Sequence, residues 1–249
     1  MTNNEDKNIG IIVKNMDYKD DSKIIFIITN EGLISLIARG ANKLKSKNNA
    51  YTKILTKIEY NSKGKFITTA KIIHNYNNIK VNIDIYTKIL IILEMSYVLA
   101  PHITDYELFF RFLSDILDLI NNYKYSDLIN LYVLTFRIKL LYLLGVAPIL
   151  SKCVSCGRKE NLIGFSLDNG GMLCLNCASD LNKINHSNYI QLFRILYLTK
   201  LDKLNDEYLI ELNKSYNEED IENIDKLINS YYESYLGFKS KSKEILNKI

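Results

Sequence analysis

The stretch SKCVSCGRKENLIGFSLDNGGMLCLNCAS, residues 151–179, contains all four cysteines of the chain as two CxxC pairs separated by seventeen residues. A CxxC turn directs two thiolates to one point, and a second pair beside it completes a tetrahedral ligand set for zinc. Gly157 follows the first pair and Asn169-Gly170-Gly171 precedes the second, and glycine supplies the positive φ that a tight metal knuckle requires. The spacing therefore predicts one structural Zn²⁺ per chain, with four ligands: Cys153, Cys156, Cys174 and Cys177.

Two disulfides, or four unrelated buried thiols, are the alternatives to a metal. Unrelated cysteines would not be expected to fall twice at the same short spacing with none left over. The start, MTNNEDKNIG, carries acidic residues and no apolar segment, which argues against a signal peptide or membrane anchor and predicts a cytoplasmic protein. A reducing cytoplasm favours metal over disulfide. Four thiolate ligands leave no coordination position for an activated water, so the predicted metal is structural.

The net charge of +4 is unevenly distributed along the chain. Residues 1–80 hold fourteen Lys or Arg against seven Asp or Glu, a net of +7, whereas residues 81–249 hold eighteen against twenty-one, a net of −3. A basic segment joined to a mildly acidic body indicates a polyanionic partner on one side of the molecule. Many small basic domains bind nothing, so charge alone does not decide the question.

Residues 9–75 alternate in the manner of β-strands rich in Ile and Thr, with Gly or Asn turns between them. Five short strands in about eighty residues match the inventory of an OB-fold, a small barrel that binds oligonucleotides. An SH3-like barrel would have the same number of strands. The predicted strands are 9–13, 23–29, 33–38, 52–60 and 66–73.

The most basic loop of this domain lies between the third and fourth predicted strands. It carries four cations in nine residues and no acid: Arg39, Lys43, Lys45 and Lys47. Such a run is often only a solvated loop, but on a candidate nucleic-acid fold it predicts a DNA-binding site. Single strands are bound by cations that meet phosphates and by rings that stack on bases. Tyr18, Tyr51, Tyr60 and Phe66 are nearby rings, and each of them could equally belong to the core.

From Tyr86 onward the period becomes helical. We expect helices over 86–100, 189–201 and 221–236. Two further helices should begin at capping residues. One begins after Asp105, and the other begins after Ser126 or Asp127 and ends at Gly145. The apolar run 128–144 is interrupted by Asn, Arg and Lys and predicts a buried helix rather than a membrane span. The fold class is therefore α+β and multidomain. An OB-fold domain over 1–80 precedes an all-helical domain over 81–249, into which the zinc module at 151–179 is inserted.

No motif of an enzyme is present. The sequence has no G-x-x-x-x-G-K-[ST] loop, no G-x-G-x-x-G and no G-x-S-x-G, and it lacks the H-x-E…P-C-x-x-C pattern of the zinc deaminases. The sequence therefore predicts a protein that is not an enzyme.

Three motifs together resemble the bacterial DNA repair protein family RecO. They are the Gly40-Ala-x-Lys43 loop, the run Leu143-Leu-Gly145-Val-Ala-Pro148 leading into Cys153-x-x-Cys156-Gly157, and Gly170-Gly171-Met-Leu-Cys174-x-x-Cys177. The resemblance covers nearly the whole chain and is most specific over residues 140–177. The family often has a second Arg or Lys where this chain has Asn42.

The resemblance implies an OB-fold, a helical domain with a zinc module, and a role as recombination mediator. Such a protein would bind single- and double-stranded DNA and anneal complementary strands. With RecR it would load RecA onto strands coated by the single-stranded DNA-binding protein, SSB, with a functional link to RecF. The family also binds the acidic tail of SSB through its helical domain. No membrane partner is implied.

Two other classes of protein stay open at this stage. A zinc-ribbon regulator would read duplex sequence and protect one defined site. An interaction scaffold would bind no DNA at low salt, and its basic loop would be merely solvated.

Overall fold

The computed structural model describes residues 8–43, 46–179 and 188–246. The described residues form two compact units: one from the ranges Met1–Asn122 and Ser242–Ile249, the other from Tyr123–Lys241. Residues 1–7, which the sequence predicts to be neither a signal peptide nor an anchor, lie outside the described part. In that part, no helix is both long enough and apolar enough to cross a membrane.

The first unit contains a closed five-stranded barrel with the strand order β1-β2-β3-β5-β4. The barrel closes because β1 pairs with both β2 and β4, and because β3 meets β5 in a short parallel contact. This is a five-stranded OB-like barrel, as the sequence predicts. The strands are β1 (Asn8–Tyr18), β2 (Ser22–Ile28), β3 (Leu33–Ala38), β4 (Thr56–Lys63) and β5 (Phe66–His74).

Inward-facing side chains of the strands fill the barrel, because alternate residues of a strand point to opposite faces. The cluster is aliphatic with two tyrosines, and its buried members are Ile12, Ile25, Ile27, Leu36, Ala38, Ala41, Tyr51, Ile58 and Tyr60. Burying this apolar surface is the main stabilising contribution to the barrel.

A short helix between β3 and β4, α1 (Lys47–Tyr51), was not predicted. Ser46 caps it by accepting a hydrogen bond from the Asn48 amide. The helix places Tyr51 in the barrel core, where only 8% of its surface is exposed. Because α1 occupies this part of the chain, β4 begins at Thr56 and the predicted start at residue 52 is wrong.

Helices of residues 77–121 pack against the barrel within the first unit. Phe26 of β2 meets Tyr97 edge to face with ring centroids 5.0 Å apart, and Lys57 of β4 donates to Ser114 at 2.7 Å. Asp105 caps the last of these helices as predicted, by accepting from the Leu108 amide. The helices are α2 (Asn77–Val81), α3 (Ile83–Val98) and α4 (Tyr106–Asn121). The domain division at residue 80, which rests on composition and period, stays a prediction.

The second unit is built around α5 (Ile129–Leu143), which is buried on nearly every side, as predicted for the run 128–144. A two-stranded hairpin, β6 (Leu162–Ser166) and β7 (Gly171–Cys174), carries the cysteine region. The other helices of this unit are α6 (Leu175–Ser179), α7 (Asn188–Leu198), α8 (Asp206–Ser215) and α9 (Glu218–Leu236). The unit ends at the first residue of the last helix, α10 (Lys241–Leu246).

The two ends of α5 differ in how well the sequence predicted them. The predicted cap at Ser126 or Asp127 is wrong, because residues Ser126–Leu128 form a 3-10 turn that leads into the helix and no side chain caps it. The predicted stop is confirmed: Gly145 has φ +71°, a left-handed conformation that glycine adopts without strain.

Candidate metal centre and nucleic-acid interface

The first cysteine pair lies in a tight knuckle after α5. The Gly157 amide donates to the Cys153 carbonyl at 2.9 Å, and the Cys153 amide donates to the Arg158 carbonyl at 2.7 Å. Gly157 has φ +78°, so a side chain there would be strained. The predicted role of this glycine in the knuckle is confirmed.

The second pair follows the β6–β7 hairpin, with Cys174 as the last residue of β7 and Cys177 in α6. Gly171 permits the close approach of two chain segments. A Cβ at this position would lie 2.5 Å from both the Ile149 carbonyl oxygen and a Val154 methyl carbon. The Val154 amide donates to the Met172 carbonyl at 2.9 Å, which holds the first knuckle against the hairpin.

The fold brings the four predicted ligands to one place. Their Sγ atoms all lie within 4.8 Å of one another, and Sγ of Cys156 and Cys174 are 3.7 Å apart. Four sulfurs placed tetrahedrally at about 2.3 Å from zinc would be roughly 3.8 Å apart. A disulfide would need about 2.05 Å, and all four cysteines are free thiols. The four side chains can therefore hold one metal ion.

The thiols of the cluster differ in pKa. Burial raises the pKa of the Cys153 thiol, but hydrogen bonds from the backbone amides of Cys174, Cys156 and Ser155 outweigh it and bring that pKa to about 6. Hydrogen bonding with the Cys156 and Cys174 sulfurs raises the pKa of Cys177 to about 12. Four thiolates this close repel one another, so the fully ionised set requires a cation at its centre.

Aromatic side chains of α7 and α9 hold the cysteine region in place within the second unit. The Tyr235 hydroxyl donates to the Leu167 carbonyl at 2.9 Å, and the Tyr231 hydroxyl donates to the Val146 carbonyl at 3.0 Å. Phe165 of β6 contacts the Phe193 ring edge to face at 5.6 Å. These contacts anchor the hairpin tip, strand β6 and the chain that leads into the cysteine region.

At one end of the barrel, three connections come together. Tyr18 at the end of β1 pairs with Ser22 at the start of β2, and Lys23 pairs with Ala38 at the end of β3. The parallel contact adds the start of β5 beside β3. The turn 19–21, the described residues of the loop 39–46 and the turn 63–65 therefore share one end of the barrel, which we call the basic end.

Arg39 and Lys43 lie at the basic end, and Lys47 is the first residue of α1 directly after that loop, whereas Lys45 lies outside the described residues. Arg39, Lys43 and Lys47 are all exposed to solvent. Lys43 forms an ion pair with Asp21 at 3.2 Å, and this contact lowers the pKa of that carboxyl group. Exposed pairs of this kind contribute little to stability, so Lys43 can exchange its carboxylate for a phosphate at small cost.

Asn42, where the family often has a cation, has a structural role here. Its amide donates to the Asp21 carbonyl at 3.0 Å, and its side chain donates to the Ser22 carbonyl at 3.2 Å. These bonds fasten the loop 39–46 to the turn between β1 and β2.

The four aromatic residues near the loop divide into core and surface. Tyr51 and Tyr60 belong to the barrel core and are 8% and 4% exposed, so they are not available for bases. Phe66 is 36% exposed, with the Arg39 guanidinium carbon 4.0 Å from its ring centroid. Tyr18 is half-buried, with the Lys19 ammonium 5.4 Å from its ring.

The sequence reasoning missed two cations at the basic end, Lys63 and Lys65. Both are exposed and flank Gly64 in the β4–β5 turn. Their nearness to the loop 39–46 depends on the β3–β5 contact, where the Ile37 amide donates to the Lys65 carbonyl at 2.7 Å. The Lys-Gly-Lys turn was visible in the sequence, but only the strand order places it beside that loop.

An OB-like barrel with a cation-rich end, in a chain that also carries a helical unit with a four-cysteine cluster, defines a class of nucleic-acid-associated barrel proteins. Comparison with known protein families identifies the family within this class. Residues 1–76 match the family model "Recombination protein O N terminal" and residues 82–244 match "Recombination protein O C terminal". The chain belongs to the RecO family of DNA repair proteins.

Individual relatives give the same result along nearly the full length. Three that bear the name "DNA repair protein RecO" come from Oceanobacillus iheyensis, Listeria monocytogenes serotype 4b and an Exiguobacterium species. They are 30%, 28% and 28% identical, over 96% of this chain in each case and over 92%, 93% and 94% of their own lengths.

Proposed function

We propose that this protein is a recombination mediator that binds single- and double-stranded DNA and anneals complementary strands. The observation that carries the proposal is the basic end of the barrel, where three connections present exposed cations on a fold that binds oligonucleotides. Family membership supports the same role. Phosphate contacts from lysine carry no sequence information, so binding should be nearly independent of sequence.

The partners proposed for this chain follow from the family alone. They are RecR, the acidic tail of SSB, and, through the shared pathway, RecA and RecF. In this role the protein acts on strands already coated by SSB and helps RecA to replace that coat. Cytoplasmic location follows from the same role.

The metal proposed for the four-cysteine cluster is Zn²⁺. Four thiolates within 4.8 Å of one another suit zinc, and a complete set of four protein ligands gives the ion a structural role. Zinc would cross-link the first knuckle to the hairpin. The protein would therefore not be an enzyme, and annealing would need no nucleotide because the sequence has no phosphate-cradling loop.

An annealing assay with complementary oligonucleotides tests the proposal. Strands labelled with a fluorescent donor and acceptor, bare or coated with SSB, should pair faster with the protein than without it, and ATP should change nothing. Several unrelated sequences should give similar rates.

Failure to accelerate annealing of either bare or coated strands would contradict the proposal. A footprint confined to one duplex sequence would favour a sequence-reading regulator instead. An ATPase activity that survives repurification and disappears on a point mutation in this chain would contradict the non-enzymatic part.

A further inference from the structure

Arg39 and Phe66 form a stacked pair at the basic end. The guanidinium carbon lies 4.0 Å from the ring centroid, and both side chains reach solvent. Among the described residues, no carboxylate forms an ion pair with Arg39. The guanidinium is therefore held by an aromatic face rather than by an opposite charge.

The backbone fixes this pair in place. Phe66 is the first residue of β5 and pairs with Ile37, which lies two residues before Arg39. The Ile37 amide donates to the Lys65 carbonyl at 2.7 Å, so the contact that closes the barrel also holds the two side chains together. The backbone positions of both residues are therefore set before a ligand binds.

The surroundings of the pair suit a single strand. Exposed lysines of the β4–β5 turn lie on one side, and Lys43 and Lys47 follow Arg39 along the chain. Bases stack on aromatic rings and on guanidinium planes, while lysines meet the phosphates. Of the four rings near the loop 39–46, two are in the barrel core and Tyr18 is half-buried, which leaves Phe66 as the most exposed.

We propose that the Arg39–Phe66 pair is a base-stacking platform for single-stranded nucleic acid, and that Lys63 and Lys65 contact the adjoining phosphates. This assignment rests on the proposed function and makes it more specific. Arg39 then acts mainly through its planar guanidinium, which stacks on a base, and only secondarily as a phosphate contact. Lysine carries the same charge without the plane, so Arg39→Lys separates the two roles.

The test compares two strands of equal phosphate number, an oligo-dT and an abasic strand of the same length. Phe66→Leu and Arg39→Lys should each weaken binding of oligo-dT about fivefold or more. A fivefold loss is about the smallest effect expected when one stacked base loses its platform. Both variants should bind the abasic strand as the wild type does. Lys63→Ala with Lys65→Ala should instead weaken both strands and flatten the salt dependence by about 1.4 units.

A second measurement uses the absence of Trp from the sequence. Phe66→Trp introduces a single tryptophan, whose fluorescence should be quenched by oligo-dT and not by the abasic strand. Ile73→Trp is the matched control, since Ile73 lies at the far end of the same strand and is 45% exposed against 36% for Phe66. It should show no base-dependent quenching.

The outcomes separate this proposal from the proposed function. Wild-type protein that binds neither strand would overturn both. Wild-type protein that binds oligo-dT, with Phe66→Leu binding it equally well and Phe66→Trp unquenched, would overturn the platform and leave DNA binding intact. Thermal unfolding of each variant at the wild-type temperature shows that the fold is preserved.

Discussion

Arg137 is a fully enclosed cation at the centre of the second unit, only 2% exposed. Its guanidinium donates to Asp225 and Asn229 of α9, and its carbonyl accepts from the Tyr232 hydroxyl at 2.7 Å. Burial lowers its pKa to about 10, which still leaves it charged at neutral pH. A buried charge is tolerated when its partner is present, and this pair links α5 to α9.

Removing Asp225 should therefore be costly. Asp225→Ala leaves Arg137 buried and unpaired, and we expect a loss of about 3 kcal/mol of unfolding free energy, the low end of the range for such pairs because the Asp225 side chain is 27% exposed. Urea unfolding followed by circular dichroism measures it. The double variant Arg137→Met with Asp225→Leu should lose less than Asp225→Ala alone.

Lys226→Ala is the matched control for that experiment. Lys226 is the next residue on α9, and its exposed pair with Glu222 should contribute less than about 0.5 kcal/mol. Equal stabilities for Asp225→Ala and Lys226→Ala would contradict the role given to the buried pair.

At the residue scale, the sequence predicted which cysteines lie together better than it predicted contacts between distant segments. Cys153 and Cys174 were predictable because the chemistry of a CxxC pair is local and its spacing can be read directly. Lys63 was not, because its relation to the loop 39–46 depends on a parallel strand contact that joins residues far apart in sequence. The burial of Tyr51 was undecided because it depends on the short helix α1, which the sequence did not predict.

At the element scale, the cysteine region consists of a tight knuckle, a short hairpin and the start of α6, which together bring the four thiols to one place. The strands β6 and β7 are only five and four residues long, and two-stranded hairpins are marginal by themselves. Anchors from α7 and α9 hold the outside of the region, and the metal would hold its inside. Losing the metal should therefore unfold this element locally.

Purified protein should carry close to one zinc per chain, and Cys174→Ser should lose it. Structural zinc binds with roughly 10–16 kcal/mol, which becomes folding free energy of the element. Metal analysis measures the zinc. Hydrogen exchange should then rise over residues 151–179, while α5 stays protected because its own core is intact.

Lys159→Ala in the same element keeps all four thiols and should retain the zinc. A protein without zinc, in which mass spectrometry finds two disulfides, would contradict the metal centre.

The sequence predicted some elements and helix caps where the structure has them. Strand β3 was predicted at its observed bounds, and the Asp105 cap is confirmed. The helix α1 escaped prediction because five residues are too few to show a helical period. The start of α5 was misplaced because the residues before it form a 3-10 turn. A polar residue in such a turn looks the same in the sequence as a residue that caps a helix.

At the scale of the whole molecule, the two units carry different kinds of chemistry. The barrel unit gathers exposed cations at one end, whereas the second unit brings together four cysteines that could hold a metal ion. From charge and period the sequence predicted a basic strand-rich part followed by a helical part, and the number of strands suited both an OB-fold and an SH3-like barrel. Only the strand order decided between the two barrels, because pairing joins segments that are distant in sequence.

The salt dependence of single-strand binding tests the central claim, that the basic end binds DNA, most directly. Changing Lys43, Lys45 and Lys47 together to Ala should flatten the slope of log K against log salt by about 2 units, at about −0.7 per phosphate contact. Similar losses are expected for unrelated sequences, and folding should be unaffected because exposed substitutions usually lie within about 0.5 kcal/mol of neutral. The control removes the same charge from the second unit at Lys203, Lys214 and Lys226 and should leave the slope unchanged. A Lys43/Lys45/Lys47 variant that binds with wild-type affinity and slope would contradict the claim.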